Sequence, residues 1–81
     1  MVYTNKSIKL VDDVWTFLEN NFKGSEITFE LIIREIDKRA DTNNTLRQAI
    51  KYLWDNYDWF DYNYKAYCID YIKNNYGIRL K

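Results

Sequence analysis

Eighty-one residues leave room for one hydrophobic core, and the chain reads as a single domain over 1–81. Twelve basic and twelve acidic side chains cancel, which excludes a protein-wide field drawing the chain to nucleic acid or to anionic lipid. With no His and one Cys, a His-based catalytic triad, the common zinc sites and an internal disulfide framework are excluded as well.

In chain order, Ile8, Val11, Val14, Trp15, Leu18 and Phe22 recur at helical spacing, with Asp12, Asp13, Glu19 and Asn20 off that stripe. The spacing predicts a first helix over 8–22, with Ser7 as its N-cap and Gly24 at its stop. Lys23 to Thr28 is a connection with room for a short extended piece at Glu26–Thr28. Thr28 then reads as the N-cap of a second helix over 29–39, with Ile27 placed to staple onto Ile32. Phe29, Ile32, Ile33, Ile36 and Ala40 form its apolar stripe.

Asp41-Thr42-Asn43-Asn44-Thr45 is a turn rich in capping residues. Thr42 is the preferred N-cap of a third helix over 43–56, and Thr45 with Gln48 is a competing capping box. Leu46, Ala49, Ile50, Leu53, Trp54 and Tyr57 give the cleanest helical period in the chain. Asp58–Asn63 breaks that period. Tyr64, Tyr67, Cys68, Tyr71, Ile72 and Tyr76 then predict a fourth helix over 64–76, stopped by Gly77, with Ile78 folding back on Ile72. The expected fold is an all-α, small four-helix domain. The alternative is an α+β winged helix with a hairpin at 58–71, because Tyr and Ile also favour strands.

Charge is uneven along this neutral chain. Residues 34–51 carry five bases against three acids, 52–64 carry three Asp and no base, and 65–81 carry four bases against one acid. With Leu46, Ile50, Leu53 and Trp54 facing inward, the third helix shows Asn44, Arg47, Gln48 and Lys51 on its other face. Asn and Gln can pair bidentately with adenine and Arg with guanine, while Lys suits phosphate or guanine. Asn43 and Asn44 open the helix, whose free amides can receive a phosphate. Arg34, Lys38 and Arg39 on the preceding helix are candidates for flanking backbone contacts. Any surface helix shows polar residues opposite its core, so this face is a candidate and no more.

The pair of helices 29–39 and 43–56 resembles the helix-turn-helix core of bacterial and phage DNA-binding domains. The residues that carry the resemblance are Ala40-Asp41-Thr42-Asn43-Asn44-Thr45-Leu46-Arg47-Gln48-Ala49-Ile50-Lys51-Tyr52-Leu53: a capping hydroxyl, small polar residues, then an apolar-basic-polar-small-apolar run. The resemblance implies a small DNA-binding regulator of transcription with double-stranded DNA as partner and 43–56 as recognition helix. Its winged-helix branch would use Ile8–Phe22, Glu26–Thr28 and a hairpin wing.

A second candidate is the aromatic strip 54–64, where Trp59, Phe60 and Tyr62 are interleaved with Asp55, Asp58 and Asp61. Exposed rings with scattered carboxylates suit a protein interface, as in an inhibitor or adaptor module of a phage or mobile element, or a homodimer contact. More than half of the rings are expected in the core on burial grounds. Nine Asn and eight Tyr without a Pro fit an AT-rich coding sequence such as a virus, a mobile element or a low-GC bacterium carries. Catalysis finds little support: Asp12 and Asp13 point about 100° apart on a helix. Cys68 lies on an apolar face, and no cofactor or metal motif is present. The lone Cys, the lack of a membrane-length apolar run and the lack of a leader-like start make a cytoplasmic protein the expectation.

Overall fold

A computed structural model describes residues 3–57 and 61–80. Four α-helices follow in order: α1 (Asn5–Asn21), α2 (Phe29–Arg39), α3 (Asn43–Asn56) and α4 (Tyr62–Tyr76), with a 3₁₀ turn (Gly24–Glu26) between the first two. No strand occurs among the described residues. The protein is thus a small four-helix all-α domain. The hairpin alternative at 58–71 does not hold, because Tyr62–Tyr71 is helical throughout. Residues 58–60 of that span lie outside the described residues.

Each helix begins in the same way. Thr4, Thr28, Thr42 and Asp61 stand in extended backbone, and each side-chain oxygen accepts from the amide three residues on, at 2.7–3.2 Å. This satisfies one of the donors every helix leaves over at its start. The second and third helices therefore have the bounds and caps their sequences predict. Thr45, the competing cap, lies inside α3 and accepts from the Thr42 hydroxyl at 3.0 Å.

Three expectations need correction. The first helix starts a turn early, because Thr4 takes the capping role; Ser7 is buried and faces α3. Phe22, in extended backbone, ends that helix, so Gly24 is not its stop and instead opens the 3₁₀ turn. The fourth helix starts at Tyr62 because the Asp61 carboxylate caps it, two residues before its apolar stripe begins.

One core joins all four helices: Val11, Val14 and Leu18 of α1 meet Ile32, Ile33 and Ile36 of α2, Ile50 and Leu53 of α3, and Cys68 and Ile72 of α4. The backbones of α1, α2 and α3 approach closely, whereas α4 stays farther out and reaches the others through long side chains. Phe29 is the hinge of that contact. Its ring is fully buried, edge-on to Trp54 of α3 at 6.0 Å and to Tyr71 of α4 at 6.3 Å between ring centroids. Its amide, left over at the first position of α2, donates to the Tyr64 hydroxyl at 2.9 Å. That hydroxyl donates in turn to Glu30 Oε1 at 2.8 Å, and Tyr67 donates to Glu30 Oε2.

Phenol-to-carboxylate bonds recur as the polar links between elements. Tyr3, just before α1, donates to Asp55 of α3, Tyr57 at the end of α3 to Asp12 of α1, and Tyr76 of α4 to Asp37 of α2. Only two ion pairs occur among the described residues, Lys6–Asp41 and Arg39–Glu35. The surplus of Tyr is thus largely spent on tying helices together.

At the far end Gly77 takes a left-handed conformation (φ +67°), donates its amide to the Lys73 carbonyl and turns the chain back. Ile78 and Leu80 are then buried in the same core. The stop at Gly77 follows the sequence expectation, and Ile78 joins the core cluster that also holds Ile72.

Two outcomes test this packing. Leu53→Ala, at a fully buried position, is expected to cost about 2–5 kcal/mol in a denaturant titration; a loss below about 0.5 kcal/mol would mean that α3 does not pack as described. The second is a pH profile. Burial pushes the Tyr64 and Tyr76 phenols from the usual 10.0 up to about 12. Because the raised value favours the neutral phenol in the fold, stability is complete below pH 10 and is lost as pH rises toward 12. Burial of Glu30 opposes its ionisation, but bonds from Tyr67, its own backbone, Tyr64 and Thr28 outweigh that and hold its carboxyl below the ordinary 4.5. Its contribution is complete above pH 4.5 and is lost as pH falls below it. Thermal melts across pH should therefore show a plateau bounded on both sides, with Tyr64→Phe flattening the alkaline limb and costing about 1–3 kcal/mol on the plateau.

Candidate nucleic-acid interface

The outward face of α3 is set by its inward one. Leu46, Ala49, Ile50 and Leu53 are buried, which leaves Asn44, Arg47, Gln48 and Lys51 on one strip at helical spacing. The structure brings these four together on the wall of an open groove of about 530 Å³. The opposite wall is the returning C-terminal segment, Gly77, Ile78 and Arg79. Arg47, Lys51 and Arg79 thus supply three cations, and among the described residues no carboxylate lines the groove.

Three of the other concavities carry carboxylates, and a fourth, beside Trp54, has Lys65 as its one charged residue. Glu19 lines the cleft beside Trp15 and Phe22, Glu26 and Glu30 the cleft beside Leu31, and Asp37 and Asp41 the small cleft at the α2–α3 turn. A pair of like-signed walls with low-dielectric backing concentrates potential in the space between them, which makes the α3 groove a locally positive site on a neutral protein.

Gln48 is held more firmly than a surface glutamine. Its Oε1 accepts from the Thr4 amide at 3.0 Å and from the Ser7 hydroxyl at 3.3 Å, so the first turn of α1 fixes the side chain in place. The longer α1 is what makes this contact, since Thr4 and Ser7 are the residues that differ from the predicted start.

The remaining predicted contacts are scattered. Asn43 opens α3 but lines the small cleft with Asp37 and Asp41. Arg34 is exposed in the cleft that holds Glu26 and Glu30. Lys38 is exposed on α2. Arg39 pairs with Glu35 at 2.7 Å and lies 4.9 Å over the Phe17 ring, which engages its guanidinium on the α1–α2 seam. None of these four lines the groove. Arg79, which does, escaped the sequence reading. The signal was present in the Gly77 stop and the fold-back of Ile78, since a chain that returns at 77–78 carries residue 79 with it.

The aromatic strip divides as well. Asp55 accepts from Tyr3, and Asp61 caps α4, so both carboxylates have structural partners. Trp54 is half-buried against Phe29. Tyr62 is 87% exposed and lines a shallow cleft with Trp54, Lys65, Ala66 and Ile69. Asp58, Trp59 and Phe60 lie outside the described residues.

Cys68 is fully buried, and burial pushes its thiol up to about 12, far from nucleophilic use at neutral pH. Among the described residues no cluster of acidic or Cys side chains is arranged for a metal, and no helix is long and apolar enough to cross a membrane. Comparison with protein-family models, with curated proteins and with solved structures finds no match to the chain, leaving the groove's own chemistry as the basis for its function.

Proposed function

We propose that the protein is a small nucleic-acid-binding module that engages double-stranded DNA through the α3 groove, as a regulator without catalytic activity. The observation that carries this reading is the set of three cations, Arg47, Lys51 and Arg79, converging on one groove whose described lining holds no carboxylate. A phosphodiester backbone is the macromolecular ligand such a set fits best. The α2–turn–α3 arrangement, with its resemblance to helix-turn-helix domains, supports α3 as the element that approaches the bases, with Arg47 and Asn44 within reach of base edges.

Charge sets the strength. Two phosphates neutralised by Lys51 and Arg79, with Arg47 turned to the bases, give a log–log salt slope of about −1.8, so affinity falls about 12-fold between 50 and 200 mM salt. That is a modest dependence, suited to a module acting with a second copy or a second binding surface.

A second reading has one observation in its favour: a tyrosine as exposed as Tyr62, beside the Trp54 cleft, suits a protein contact. In that reading the protein is an inhibitor or adaptor, and the α3 groove is a solvated face.

Titration of wild type against a randomised duplex pool at low salt separates the two. Arg47→Ala is expected to weaken binding to an enriched sequence by about 1–3 kcal/mol and binding to random duplex much less. Lys51→Ala and Arg79→Ala are expected to weaken both alike and to reduce the salt slope by about one charge each. No shift at micromolar protein would refute the DNA reading, and loss of a captured protein partner on Tyr62→Ala would establish the other.

A further inference from the structure

Gln48 lines the cationic groove, and its amide is oriented by chemistry that admits one assignment. The Thr4 backbone N–H can only donate, so the Gln48 atom 3.0 Å away is the carbonyl oxygen. The Ser7 hydroxyl is 3.3 Å from the same oxygen. A carbonyl oxygen offers two lone pairs: the Thr4 amide takes one, and the other faces the Ser7 hydroxyl, whose proton goes to Gln48 when the Thr4 hydroxyl, 2.8 Å away, donates to Ser7. The Nε2 amino group donates to no described residue and is the arm left for the groove that Gln48 lines.

Bidentate recognition of adenine by glutamine needs both arms, the oxygen accepting from N6–H₂ and the amino group donating to N7. Gln48 cannot supply the first. Its amino group would instead oppose the amino group of adenine. Arg47, Lys51 and Arg79 are donors without acceptors, so among the described residues of the groove Asn44 alone has a free choice of role.

Resting on the DNA reading above, we propose that Gln48 is a specificity-determining residue that acts solely as a donor. The groove then selects the paired acceptors on the O6/N7 edge of guanine and rejects adenine at that position. The first turn of α1 is part of the specificity device, since Thr4 and Ser7 withdraw the acceptor.

The test uses the full chain and duplex DNA. Gln48→Glu keeps an oxygen toward Thr4 and turns the groove-facing arm from a donor into an anionic acceptor. Its thermal melt is expected to match wild type, and its affinity to fall about 5- to 150-fold, the range for one bidentate contact. If guanine is the ligand, the fall is confined to duplexes carrying the preferred guanine, and replacing that base by 7-deazaguanine weakens wild type similarly. If all duplexes lose alike, and a neutral methylphosphonate at the contacted step weakens wild type while base changes do not, the contact is to phosphate and the assignment of specificity to Gln48 is overturned. Ser7→Ala, a smaller change that frees one lone pair of Oε1, provides a variant independent of Gln48→Glu folding. It is expected to raise tolerance of adenine in the guanine case and to leave the phosphate case unmoved. Duplex binding that prefers adenine at the Gln48 position in wild type, or that is unchanged in Gln48→Glu, overturns the inference while leaving the DNA reading intact. Absence of any duplex binding by wild type overturns both.

Discussion

Phe29 sits where three helices converge, and most of what the protein presents to solvent follows from how that one residue is held. Its ring fills the space between α2, α3 and α4, and its amide takes the Tyr64 hydroxyl. Both contacts act at the first turn of α2, so the same residue fixes the start of one helix and the docking of another. Docked at the distance its aromatic side chains impose, α4 ends at Gly77 in a place from which Ile78 and Leu80 can reach the core. Arg79, between these two buried anchors, is thereby set opposite Arg47 and Lys51. The groove is a tertiary product of the packing around Phe29.

The helices were legible where a cap and a period agreed. Thr28 with the Phe29–Ile36 stripe, and Thr42 with the Leu46–Leu53 stripe, gave both ends of α2 and α3. The starts of α1 and α4 were not, because in each case the capping residue precedes the first apolar residue by several positions that carry no periodic signal. Asn5 and Lys6 are exposed, as are Tyr62 and Asn63, so nothing in their apolarity distinguishes helix from loop. In α1 the choice between Thr4 and Ser7 is decided by a partner 41 residues away from Ser7, the Gln48 amide, which a local reading does not weigh.

The candidate site was legible in part for a related reason. Asn44, Arg47, Gln48 and Lys51 share a face because they share a helix, and helical spacing is local information. The second wall of the groove is not local. The separation of Arg39 from the groove is equally a matter of tertiary contacts, since only the packing of α1 on α2 brings the Phe17 ring under its guanidinium. Net charge was a poor guide in the same way. A formal charge of zero is a sum over the whole surface, and it is compatible with acids gathered on helix caps and phenol partners while three bases line one groove.

The phenol–carboxylate links have a consequence for how the molecule responds to its medium. An ion pair between helices weakens as mobile ions screen it. A neutral phenol donating to a carboxylate carries one formal charge instead of two and so has little pairwise attraction to lose. With Tyr3, Tyr57, Tyr64, Tyr67 and Tyr76 in this role, the fold is tied together by bonds that ionic strength scarcely touches near neutral pH. The exposed cations of the groove remain fully subject to it. Architecture and surface are in this sense electrically decoupled: added electrolyte screens the cations of the groove without loosening the helices that shape it.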